Sequence, residues 1–377
     1  MPSKPVGKAP PTTISIKPSL KHTIEGHTDT VWSLVFLQDN CHIVSGSWDR
    51  TIRKSDCETG QLVGEPWKGG YSVLALALSP DGKIIACGTR DGSVQLRNTE
   101  GQLISEAIWT DHTDWVRSLS WSPGGGELAS GSFDGTILVR NVESGEVKVG
   151  PIRANQGWVR SIAYSPLGDK IASGGNTICI WDSYTGKLQV GPIKDLERNV
   201  TSVVWSSDGR KLYSAWDKFA LVFDSTSGKE LYRFQHNLPL FSIALSPKHN
   251  LLACVGEGGT AQLLHSESLQ PIRDSFANKE ARNELHCVSF SLDGRYLAYG
   301  GYDNKITLWT VEDINNPPIA ALITKSRSLP LDVSNLTFHS SPSSQHHRSM
   351  IPTFLHSQRQ VINTGTMIHT VTTPFSW

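Results

Sequence analysis

Two His–Asp pairs stand 22 residues apart in the chain, His27 with Asp49 and His112 with Asp134. A carboxylate beside an imidazole is the usual equipment of a general base, so the pairs invite a catalytic reading. The pairing recurs, however, and an enzyme centre needs a non-repeating cluster of His, Asp or Glu at one place. No such excess is present in this sequence, nor is there a GxxxxGK[ST] phosphate loop, an HExxH or a GxSxG. The six cysteines, Cys41, Cys57, Cys87, Cys179, Cys254 and Cys287, form no CxxC and no disulfide framework, which predicts free thiols in a reducing compartment. Five of the 13 histidines (His339, His346, His347, His356 and His369) fall in a Ser- and His-rich tail, but without the spacing of a coordination shell. The residues thus predict no catalytic group, no metal and no cofactor.

The totals narrow the class further. In 377 residues, 35 basic and 35 acidic side chains cancel, leaving no global field to attract nucleic acid or an anionic membrane. No window approaches the roughly 18 uninterrupted apolar residues of a membrane span. The opening "MPSKPVGKAPPTTISIKPS" lacks the apolar core of a secretory signal. These features place the protein in the cytoplasm, with the nucleus also open.

The elements that position the His–Asp pairs repeat. Short apolar stretches begin at Val31, Val73, Val116, Val159, Val200, Leu240 and Leu285, at intervals of 42, 43, 43, 41, 40 and 45 residues. Each is followed by a turn such as "SPDG", "SPLGD" or "SLDG", then by strand–turn–strand phrases such as "HIVSGSWDRTIRKSD", "ELASGSFDGTILVRN" and "YLAYGGYDNKITLWT". Several short strands per unit at this period mark a β-propeller. The fold class is therefore all-β: a seven-bladed propeller of four-stranded antiparallel blades. The stretch from Ser19 should supply the outer strand of the last blade and close the ring. The expected domains are a disordered head (1–18), the propeller (19–314) and a low-complexity, disordered tail (315–377).

"GHTDTVWSLVF" followed by "IVSGSWDRTIR" resembles the WD-repeat (WD40) propellers, and the resemblance covers Ser19 to Ile314. It implies that a His before the first strand, a Ser or Thr on the second, an Asp in the turn and a Trp on the third form a structural hydrogen-bonded network. By position the first copy has His27, Ser45 and Asp49, with Ser55 in place of the Trp. The third has His112, Ser130 and Asp134, with Arg140 in that place. The fourth keeps Ser173 and Trp181, with Asn155 for the His. The seventh keeps Asp303 and Trp309, with Ala281 and Tyr299 at the other positions, and the sixth only His236.

In an antiparallel blade the connection before the first strand and the one between the second and third lie at the same end. Residues beside them crowd one rim of the central channel. That places Trp32, Trp48, Arg90, Trp115, Arg117, Phe133, Trp158, Arg160, Trp216, Phe241 and Tyr302 on one face. Trp, Tyr and Arg are the types enriched at binding hot spots. The WD-repeat resemblance implies the same face for peptides and partner proteins. The sequence therefore predicts a non-catalytic interaction scaffold with protein or peptide partners, and no nucleic acid, membrane or small-molecule substrate. A regulatory propeller related to those attached to nucleotide-binding switch proteins is the alternative, and a propeller enzyme the distant one.

Overall fold

A computed structural model describes residues 16–104, 108–153, 157–193, 199–272, 276–277 and 283–313. The rest of the head, Asn155, Ala281 and the tail with its five histidines lie outside the described residues.

Seven antiparallel sheets follow one another in chain order. Their inner strands are Val31–Phe36, Val73–Leu78, Val116–Trp121, Ser161–Tyr164, Val200–Trp205, Leu240–Leu245 and Leu285–Phe290. Each sheet then steps outward through hairpins, as in blade five, where Lys211–Trp216, Phe219–Asp224 and Glu230–Gln235 follow. Asp and Gly make those hairpins: Ser79 donates to Asp81 Oδ1 at 2.6 Å, and Gly82 turns with φ 73°. Among the described residues blade two shows three strands, Val73–Leu78, Ile84–Thr89 and Val94–Asn98. Its fourth place is held by the isolated bridges Val94–Trp109 and Arg97–Leu103.

The middle strands read as apolar runs because neighbouring blades cover both faces. Leu251–Gly256 and Tyr296–Gly301 are buried throughout, whereas the outer strand Glu230–Gln235 is mostly exposed. Cores form between blades: Ile178, Ile180, Val200, Val203, Leu212 and Phe223 join blades four and five. Each large buried aliphatic contributes about 1.5–3 kcal/mol, so a blade is stable only beside its neighbours.

The ring closes where Leu285–Phe290 packs against Val31–Phe36. Ile16–Ile24 is the outer strand of the blade built from Leu285–Phe290, Tyr296–Gly301 and Ile306–Asp313. That closing strand starts at Ile16 and not at Ser19, because Val311, Glu312 and Asp313 prolong its partner. Ile24 ends the strand in a core shared with Val31, Leu34, Tyr296 and Leu308.

Candidate functional site

The inner strands share an irregularity that builds the site. In six blades the pairing of the first two strands skips one residue near the start: Trp32, Leu74, Arg117, Thr201, Phe241 and His286. A residue left out of the ladder by a bulge is re-aimed. All six line the central cavity, and Arg160, just ahead of the fourth inner strand, joins them.

Above this collar the turns between second and third strands add a second tier. Trp48, Arg90, Phe133, Glu257 and Tyr302 each donate a backbone N–H to the residue preceding an inner strand, at 2.9–3.0 Å. The two tiers merge into a continuous aromatic arc. Phe241 stacks on His286 (5.2 Å between ring centres), His286 on Trp32 (4.3 Å), and Trp32 lies 6.0 Å from Trp48. Trp48 meets Trp115 edge-on at 5.2 Å, Trp115 stacks on Phe133 at 5.3 Å, and Phe133 on Trp158 at 4.7 Å. Tyr302 packs edge-on against His286 at 4.6 Å.

Arginines interleave with these rings. Arg117 lies 4.7 Å from the Trp32 ring, Arg90 4.9 Å from Trp48 and 5.4 Å from Trp115, and Arg160 5.1 Å from Trp158. Trp158 is 51% and Tyr302 49% exposed, so large apolar area faces solvent. The corresponding turns and strand entries of blades five to seven carry acids, Asp217, Glu257 and Glu284, the last with Oε2 3.6 Å from His286 Nε2. Burial and the nearby Glu257 push the Glu284 carboxyl above its ordinary value.

Ten of the eleven residues expected at this face thus come together, and Trp216 does not. Its exposure is 1%, and it packs with Val200, Val203 and Leu221 between blades four and five. The reason is register. Trp216 pairs with Val200 as Ser47 pairs with Val31, so it ends the strand inside the sheet, one place before the position of Trp48. The equivalent place in blades six and seven is Gly256 and Gly301, where an added Cβ would lie 2.0 Å from a backbone oxygen. Conversely, His286 is the hub of the arc although a histidine is no hot-spot type by composition. Its signal is positional, since it stands in the register place of Trp32 and Arg117.

Beside the mouth, His27 Nδ1 lies 2.8 Å from Asp49 Oδ2 and its Nε2 2.9 Å from Ser45 Oγ. His112 repeats this with Asp134 (2.9 Å) and Ser130 (2.8 Å). Thr51 and Thr136 each donate a hydroxyl to the Asp of their blade at 2.6 Å. In blade four the Trp181 indole donates to Ser173 Oγ at 2.8 Å. In blade seven Trp309 and Thr307 lie against the Tyr299 hydroxyl, while Asp303 accepts from the Lys305 backbone N–H at 3.1 Å. Where the third-strand Trp is missing in blade three, Arg140 takes the same register place, bonded to Gly145 O and Asp111 and 4.9 Å from the Trp109 ring. Each imidazole and carboxylate is held by its own blade, and none is directed to a shared reaction centre.

The model described as "WD domain, G-beta repeat" matches residues 18–54, 147–182, 191–224 and 277–310. That of the "Anaphase-promoting complex subunit 4 WD40 domain" matches residues 76–150. Among curated proteins the chain is similar to the "WD repeat-containing protein 26 homolog" of Arabidopsis thaliana, 29% identical over 112 residues (27% of this chain and 19% of that one). It is 36% identical over 81 residues to the "Periodic tryptophan protein 2 homolog" of Schizosaccharomyces pombe (22% and 10%). It is 34% identical over 101 residues to the "Ribosome biogenesis protein WDR12 homolog" of Nematostella vectensis (26% and 24%). The matches span a quarter or less of each relative's own length.

Proposed function

Because the chain belongs to the WD-repeat family and folds as its seven-bladed propeller, we propose that it is a non-catalytic scaffold whose channel mouth binds a protein or peptide partner. The observation that carries this reading is the continuous arc from Phe241 to Trp158 with three arginines set into it. Rigid, partly exposed rings interleaved with directional donors, ending in a Trp158 that is half exposed, are the ingredients of a binding hot spot. The His–Asp–Ser groups serve as braces for the blades, since their donors and acceptors are satisfied internally. Five buried free thiols and an exposed Cys41 fit a reducing compartment, the cytosol or the nucleus. The name of the WDR12 relative adds a candidate setting, an assembly that makes ribosomes.

The test is the double substitution Trp115→Ala with Trp158→Ala. Partners recovered by affinity purification from native cells, and located by crosslinking mass spectrometry, should be lost from the variant while its circular dichroism and melting stay normal. Each truncated anchor should weaken binding by roughly 2–4 kcal/mol if it is a hot spot. A folded double variant that recovers the same partners at the same yield would remove the rim from the account.

A further inference from the structure

Below the arc the inner strands enclose a cavity of about 150 Å³ lined by Trp32, Arg117, Arg160, His286 and a collar of serines, with no Asp or Glu among the described residues of its wall. Its guanidinium groups pack on rings but meet no carboxylate among the described residues. Arg117 has one long bond, 3.4 Å to Leu74 O, and Arg160 Nε is buried without an acceptor. Trp32 Nε1 and His286 Nε2 are also buried and unbonded. His286 is 7% exposed, and its Nε2 stands 3.6 Å from Glu284 Oε2, beyond hydrogen-bond reach. Burial, reinforced by the neighbouring Arg160, pulls the Arg117 guanidinium down to about 10, so it remains a cation at neutral pH. Two cations confined together with unused N–H donors are an unfavourable arrangement until an anion arrives.

We infer that the channel mouth is an anion site, filled by one acidic side chain (a carboxylate or a phosphoryl group) that the bound peptide inserts between Arg117 and Arg160. This rests on the rim being the partner-binding face. A guanidinium meets either oxyanion through paired N–H donors, and the low-dielectric protein wall around the cavity strengthens the contact. The surroundings select a single anion over a polyanion. Asp217, Glu257 and Glu284 stand in the same turns and strand entries, Glu284 beside His286, and the chain has equal numbers of acidic and basic residues, so a nucleic-acid backbone crossing the face would meet carboxylates as well as arginines. A peptide with one central anion and apolar flanks meets the arginines and lays its flanks on the aromatic arc.

The experiment uses the full chain and fluorescein-labelled nonapeptide pools with randomised flanks and a central Glu, phosphoserine, Gln or Ser, read by fluorescence polarisation. The Glu or the phosphoserine pool should bind at least tenfold tighter than its neutral counterpart, and whichever does so identifies the oxyanion. Arg117→Gln and Arg160→Gln should each erase the preference, Arg117→Lys should retain it in part, and Trp158→Ala should weaken all four pools alike. Should Arg117→Gln fail to fold, Arg160→Gln carries the same reading from the wall of the cavity. Equal binding of charged and neutral pools overturns the anion site and leaves the rim as a partner face. Binding of no pool overturns both. Oligouridylate that displaces the peptides and depends on the same arginines overturns the choice of a peptide.

Discussion

Burial by itself would raise the Asp49 and Asp134 carboxyls. The bonds from His27 and Thr51, and from His112 and Thr136, reverse this and hold both well below the ordinary carboxylate range. A carboxylate whose folded-state pKa is depressed stabilises the fold above its unfolded value, near 4, and loses that contribution as pH falls toward the folded value. His286 and His236 act in an earlier window: burial lowers them to about 3 and about 4, so the unfolded chain takes up their protons first, from about pH 6.5 downward. Glu284 and Asp303, raised by burial, oppose the loss in part. Melting temperature should therefore decline gently from about pH 6.5 and steeply below about pH 4. Asp49→Asn with Asp134→Asn should lose about 1–3 kcal/mol per blade at pH 7 and flatten the steep limb, as measured by urea unfolding across pH. An unchanged acid limb would mean that other carboxylates govern it.

At the scale of the strand and its turn, one residue of register separates a core tryptophan from a binding one. Trp216→Ala should empty a site closed on all sides and cost about 3–5 kcal/mol, whereas Trp158→Ala should stay within about 0.5 kcal/mol of the parent in the same unfolding experiment. The opposite ranking would restore Trp216 to the rim. The case also marks what could be read before the structure was known. The period of the inner strands and the Asp-Gly turns specify strands and order, because pairing and turn geometry are local and leave their mark every few residues. "AWDK" in blade five looks like "SWDR" in blade one, but its turn is shorter, so the matching dipeptide belongs to different register places. The bulge on each inner strand left no composition mark, so His286 could be placed beside the rim by its position but not singled out as the residue that joins the rings. The acid-free channel wall was equally hidden, since its residues are scattered from Trp32 to Val288 and meet only when the ring closes.

The whole ring depends on a strand from the beginning of the described chain. Removing residues 1–26 deprives Ile306–Asp313 of its antiparallel partner and opens the core around Ile24. The truncated chain presents a bare strand edge. It should aggregate, or melt several degrees lower than the full chain by calorimetry, with light scattering reporting association. A monomeric truncation with an unchanged melting temperature would show that the blade needs no outer strand. The same closure explains why no single blade suffices. Its cores lie between blades, so seven weak units become stable by having no terminal interface.

The direction of that closing pair has a mechanical consequence. Ile16 faces Asp313 across the ladder, so the two strands leave the ring side by side at one corner. A pull on both would load the Ile16–Asp313 end first and peel the hydrogen bonds in succession, as a zipper parts, instead of shearing them all at once. Tension between anything tethered at these two points would unlatch blade seven while the other six held.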